Sequence, residues 1–157
     1  MPSWLSAGRA AELGASAHFN IVSTPSLVKA FYERIWNAGD FAAIPELLAE
    51  GLVFRGSLGC ELRGHQAFRD YVVSVRGSLS NYRCEVLDCV SEGDHAFARM
   101  RFSGLHTGVF RGFEPTYKQV QWLGAALFHI ERGVISELWV LGDLASLDLQ
   151  LVASRVT

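Results

Sequence analysis

The sequence has little of what marks several large functional classes. There is no excess of one charge: 14 Lys and Arg stand against 16 Asp and Glu, and no basic stripe runs along the chain. Phosphate recognition needs clustered positive charge, so no nucleic-acid partner is expected. Long apolar runs are missing as well. No segment approaches the roughly 18–20 consecutive apolar residues of a membrane-spanning helix, and no membrane association is expected. The opening stretch MPSWLSAGRAAEL has neither the charged start nor the apolar stretch of a secretory leader, which makes a cytoplasmic location the expectation.

Cysteine is scarce. Cys60, Cys84 and Cys89 form no CxxC pair, which argues against a zinc knuckle or a disulfide framework. Buried, reduced thiols are expected. Cys84 and Cys89 are five residues apart, a spacing that places them on opposite faces of a regular strand. No Walker A loop occurs and no GxGxxG follows a strand, so no organic cofactor is expected. A nucleophile-elbow signature for a Ser-His-Asp triad is also missing. Apart from His106, the histidines are His18, His65, His95 and His129. They show no ligand spacing with a third donor nearby, so no metal is expected.

What is present is a hydrophobic chain of 157 residues, half of them apolar, enough for one domain with a single core. Residues 1–23 read as an N-terminal arm rich in Gly, Ala and Ser, in which Trp4 and Leu5 could dock on a second subunit. The domain, 24–157, opens at Thr24-Pro25, a helix cap followed by proline in the first turn. Leu27, Val28, Phe31 and Ile35 then recur at helical spacing, and a short helix is centred on residues 44–48. Phe68, Tyr71, Val72 and Val75 form the inner stripe of a third helix over about 64–79. Leu52, Val53 and Phe54 suggest a short strand, and RGSLGCELRG (55–64) reads as loop. Residues 82–90, 95–105, 118–130 and 134–142 are strand-like, with tight turns between most of them, and 144–152 reads as a closing helix. Helices first and a meander of long strands after predict an α+β fold, with helices packed on one face of a bent antiparallel sheet.

Four segments carry a family resemblance: FYERIWNAGD (31–40), LRGHQAFRDYV (62–72), SEGDHAFARMRFSGLHTGVFRGFEPTYKQVQW (91–122) and ERGVISELWVLGDL (131–144). Over Leu27 to Leu149 the chain resembles the SnoaL-like polyketide cyclases and ester cyclases of the nuclear transport factor 2-like superfamily. The resemblance implies a cone-like, curved antiparallel sheet with three N-terminal helices enclosing one apolar pocket. It also implies homodimers formed through the outer sheet face. The fold hosts isomerases, cyclases, hydrolases and non-catalytic binders, so it does not fix the chemistry. One departure bears on mechanism. Aldol cyclases of the family carry a His and an Asp on the last two strands; the aligned positions here are Ala126 and Val140. Neither side chain can move a proton.

The expected ligand is a compact hydrophobic small molecule. Tyr32, Trp36, Phe68, Tyr71, Phe110, Trp122, Phe128 and Trp139 are the candidate wall. Three ionisable groups are the candidates for chemistry. His106, where a strand gives way to a glycine-bearing loop, either carries a proton near neutral pH or ties down that loop. Asp143 either acts as acid and base or caps the closing helix. Arg55 either holds an anion by bidentate hydrogen bonds or is a solvated loop charge. Arg99 and Arg101 share the opposite strand face from Met100 and Phe102, and at least one is expected to pair with Glu85 or Glu137. Two functions follow. One is a cofactor-independent isomerase, cyclase or hydrolase working by proton transfer. The other is a non-catalytic dimeric ligand-binding or accessory protein.

Overall fold

The computed structural model describes residues 24–152. The proposed arm, residues 1–23, lies outside them. Helix α1 (Thr24–Ala30) runs directly into a π-helical stretch, Phe31–Asn37. Helix α2 (Ala43–Leu47) leads into β1 (Leu48–Arg55), and β2 (Glu61–Arg63) precedes α3 (Gly64–Ser78). Four long strands follow: β3 (Leu79–Glu92), β4 (His95–His106), β5 (Gln119–Glu131) and β6 (Val134–Gly142). Helix α4 (Leu144–Val152) closes the chain. Among the described residues no helix is long and apolar enough to cross a membrane.

The strands form one curved sheet in the order β2-β1-β6-β5-β4-β3. All neighbours are antiparallel except β1 and β6, which are parallel. The α+β expectation therefore holds, as does the strand meander. The expected loop at 55–64 is broken by β2, whose three residues pair with Val53, Phe54 and Arg55. Their short run lacks the alternation that betrays a strand.

Period-two alternation builds the core. Along β4, Ala96, Ala98, Met100, Phe102, Gly104 and His106 are buried, while the residues that alternate with them face outward. β5 continues this inner face with Val120, Trp122, Ala126 and Phe128, and β6 with Leu138 and Val140. The helices cover that face. In the π-helical stretch the wider i to i+5 winding brings Phe31, Tyr32, Ile35 and Trp36 to one side, and all four are buried. The carbonyls at the end of this stretch are held by Arg76, which donates to the backbone oxygens of Trp36 and Asn37.

β3 corrects the reading of the cysteines. Val86 pairs with Met100 and Asp88 with Arg99, so a bulge inserts one residue between them. Beyond it, Cys89 pairs with Ala98 on the inner side, while Cys84 pairs with Phe102. The extra residue returns both thiols to one face despite their odd spacing. Cys84 is buried and Cys89 half-buried, but Cys60 is exposed, in the segment leading into β2. The outer-face pairing holds: Arg101 bridges Glu85 at 3.0 Å, and Arg99 bridges Asp88.

Candidate ligand pocket

Between the helices and the inner sheet face lies a small cavity of about 20 Å³. Its walls stand close: without side-chain movement it admits little more than a single water. The π-helical stretch supplies Phe31, Tyr32 and Trp36, and α3 supplies Tyr71 and Val75. β1 adds Phe54, the loop after it Ser57 and Leu58, and the remaining strands Tyr82, Cys84, Phe102, Trp122, Leu138 and Val140. No Asp, Glu, His, Lys or Arg side chain of the described residues lines it.

The aromatic walls interlock. Trp36 lies edge-on to Phe68 and Tyr71, and Trp122 contacts Tyr82, Phe102 and Phe110, with ring centroids 5.4–6.2 Å apart. Gly56 makes one approach possible. A Cβ there would stand 2.5 Å from the Tyr71 hydroxyl, so only glycine admits the ring.

The polar groups of the cavity are neutral. Tyr71 meets Ser57 and the Leu58 backbone, and burial pushes its pKa up to about 12. Burial pushes the Cys84 thiol up to about 12 as well, and it contacts the Tyr82 hydroxyl. Tyr32 and Tyr82 are raised well above the usual phenol value by the same desolvation. Two donors are left over. The Tyr32 hydroxyl and the Trp122 Nε1–H are buried, line the cavity and have no hydrogen-bond partner among the described residues. An unsatisfied buried donor costs roughly 1–3 kcal/mol. An acceptor-bearing ligand would recover that cost.

The eight aromatics expected in the wall divide. Tyr32, Trp36, Tyr71 and Trp122 line the cavity. Phe68, Phe110 and Phe128 are buried in the core behind it. Trp139 is on the other side of the sheet, 40% exposed, because alternation puts its neighbours Leu138 and Val140 inside. Phe54 on β1, Tyr82 and Cys84 on β3 and Phe102 on β4 also line the cavity without being among the expected wall residues. Their inward parity is the signal that would have found them.

None of the three ionisable candidates lines the cavity. Arg55 pairs with Trp139 in the β1/β6 register and lies on the outer face. Its guanidinium donates to the Val140 carbonyl at 2.5 Å and sits 5.5 Å from the Trp139 ring centroid. Asp143 is exposed, and its Oδ1 accepts from the Ser146 N–H at 3.1 Å, the cap of α4. His106 is fully buried at the far end of β4. Its Nδ1 accepts from the Thr116 backbone N–H at 3.2 Å, which leaves the ring proton on Nε2, without a partner among the described residues. The backbone of His106 holds the loop through Lys118 and Tyr117. The glycine that follows is needed because a Cβ on Gly108 would stand 3.0 Å from Ser78 Cα.

Val140 and Ala126 face each other across β5 and β6, both buried on the inner wall, and Val140 lines the cavity.

Comparison with known proteins places this geometry among relatives. Residues 26–151 match the family SnoaL-like polyketide cyclase. TsrD from Streptomyces laurentii is 25% identical and superposes with a TM-score of 0.74, over 88% of this chain and 99% of that one. A candidate SnoaL-like polyketide cyclase from a Jannaschia species is 18% identical, with a TM-score of 0.76 over 92% of this chain and all (100%) of its own. A protein of ketosteroid isomerase-like fold from Catenulispora acidiphila, in complex with trimethylamine, is 17% identical, with a TM-score of 0.71 over 86% and 99%. No curated protein matches the chain.

Proposed function

The chain belongs to the SnoaL-like polyketide cyclase family, and from that premise we propose that it is a binding protein for a compact, planar, hydrophobic molecule bearing a hydrogen-bond acceptor, without the family's proton-transfer step. One observation carries the reading. The cavity pairs an apolar wall at Val140, backed by buried Ala126, with two unpartnered neutral donors, Tyr32 and Trp122. Such a site rewards a carbonyl or ether oxygen on a flat apolar body. It offers no carboxylate or imidazole to take a proton. The ligand enters by displacing side chains, because the resting cavity is narrow.

A catalytic reading keeps one feature. The Tyr32 hydroxyl, held neutral by burial, would donate to an oxygen gaining negative charge. An isomerase, cyclase or hydrolase built on it needs a base from the substrate or from water that enters with it.

The outer sheet face supports a homodimer as the assembly. Phe97, Leu127 and Trp139 lie side by side across β4, β5 and β6, each 40–44% exposed. A second copy covering this row would bury it. Leu127→Glu is expected to give a monomer in sedimentation; an unchanged dimer in that variant would move the interface elsewhere.

The test of binding uses 1-indanone, a compact aromatic ketone, titrated into 15N-labelled protein. The Trp122 indole N–H resonance is expected to shift saturably, and Tyr32→Phe to weaken binding by roughly tenfold, the order of one hydrogen bond. Indanone, tetralone and naphthol probes that leave the Trp122 resonance in place would refute the reading.

A further inference from the structure

A second group of side chains stands apart from the cavity, on the outer face at the end of the β3/β4 hairpin. We propose that Asp94, His95 and His129 form a binding site for a divalent first-row transition ion of the zinc, cobalt and nickel class. His95 and His129 are opposite each other in the β4/β5 register, and Glu137 is opposite His129 on β6. The two imidazoles stack with centroids 4.6 Å apart and planes within 15°. Asp94 reaches both from the turn: Oδ1 is 2.6 Å from His95 Nδ1, and Oδ2 is 3.0 Å from His129 Nε2. One donor atom from each residue falls within 4.8 Å of the others.

The donor set fits this ion class. Two imidazoles and one carboxylate are borderline ligands, which favour zinc, cobalt and nickel over calcium or magnesium. An ion at about 2.0–2.2 Å from each ligand would replace the proton each ring now shares with Asp94. The widest-spaced atoms must close by about an ångström, which half-exposed side chains can do by rotating. His129 also has the support a ligating histidine needs. Its second nitrogen, Nδ1, faces Ser136 Oγ at 3.4 Å and Glu131 Oε1 at 3.8 Å, which fix the ring's orientation. Glu137 lines the same surface hollow as His95 and His129.

The spacing hid this site from the sequence. Asp94 and His95 are adjacent, but His129 lies more than thirty residues on and arrives only through strand pairing.

Cobalt(II) chloride titrated into the full chain, with the ligand-field absorption followed, tests the proposal. One cobalt per chain is expected, with zinc displacing it and magnesium not. His95→Ala and His129→Ala should each weaken binding by roughly tenfold or more, and Asp94→Asn less. Thermal melts of the metal-free variants should match the parent, because the three side chains are on the surface. Cys60→Ser and His18→Ala should leave the titration unchanged. No stoichiometric cobalt, or binding that survives both histidine variants, or binding that follows Cys60 or His18, would overturn it.

Discussion

The two faces of the central sheet are made by the same strands and do opposite things. The inner face, read along β4, β5 and β6, is aromatic and small-apolar, with neutral donors. The outer face carries the charges: Arg99 with Asp88, Arg101 with Glu85, Arg55 over Trp139, and the Asp94, His95 and His129 group. Adjacent residues fall on different faces, so a one-residue difference in sequence becomes a change of chemistry. Trp139 and Val140 show it most clearly: the tryptophan faces outward and the valine lines the cavity. Ionisable groups are affordable on the wet side of a sheet and costly on the dry side.

The largest test of that contrast places a charge on each face. Val140→Asp should destabilise the protein by about 2–4 kcal/mol in urea unfolding, because a lone carboxylate has no partner in the cavity wall. Leu141→Asp, on the outer face, should stay within about 0.5 kcal/mol. Equal effects at the two positions would erase the distinction between the faces.

Alkaline pH probes the inner face without mutation. The folded pKa values of Cys84 and Tyr71 are raised by burial to about 12, from ordinary values of 9.0 and 10.0. The contribution is therefore complete below the unfolded values and is lost as pH rises through them toward the folded ones. Stability should be flat to near pH 9 and then fall, with a limiting slope of about 1.4 kcal/mol per pH unit for each group. Cys84→Ala should lose the earlier part of that fall. A flat profile to pH 11 would mean that these groups titrate in the folded state as they do in solution.

Gly56→Ala should cost about 1–3 kcal/mol by forcing the Tyr71 ring from its seat, and should narrow or open the cavity enough to change 1-indanone affinity. Asp143→Ala should cost about 1 kcal/mol as a lost helix cap and leave that affinity alone. A fall in affinity without a fall in stability would return Asp143 to the site.

Much of the fold was legible. Gly64 to Ser78 declared itself by its apolar stripe, and the turns at Glu92-Gly93-Asp94 and Glu131-Arg132-Gly133 set the two hairpins. The site was legible only where parity was regular. Alternation puts His106 on the strand face of Met100 and Phe102, and the structure leaves it buried on that side. The Cys84 and Cys89 pair was misjudged because a bulge is invisible to counting. Trp139 was assigned to the wall because aromatic character was weighed ahead of alternation. Arg55 is a candidate by type alone, and its partner, the Val140 carbonyl, exists only once β6 is in place, whereas the capping alternative for Asp143 was legible from its place before the closing helix and the Ser146 N–H agrees with it.

The central claim is that this cavity binds by neutral donors and moves no proton. The most direct measurement follows the exchange of the α-protons of 1-indanone in D2O by NMR, with the protein at saturating concentration. Exchange no faster than in buffer at the same pH is expected, together with a saturable shift of the Trp122 indole N–H. Exchange accelerated by the protein, and lost in Tyr32→Phe or His106→Ala variants that stay folded, would contradict it.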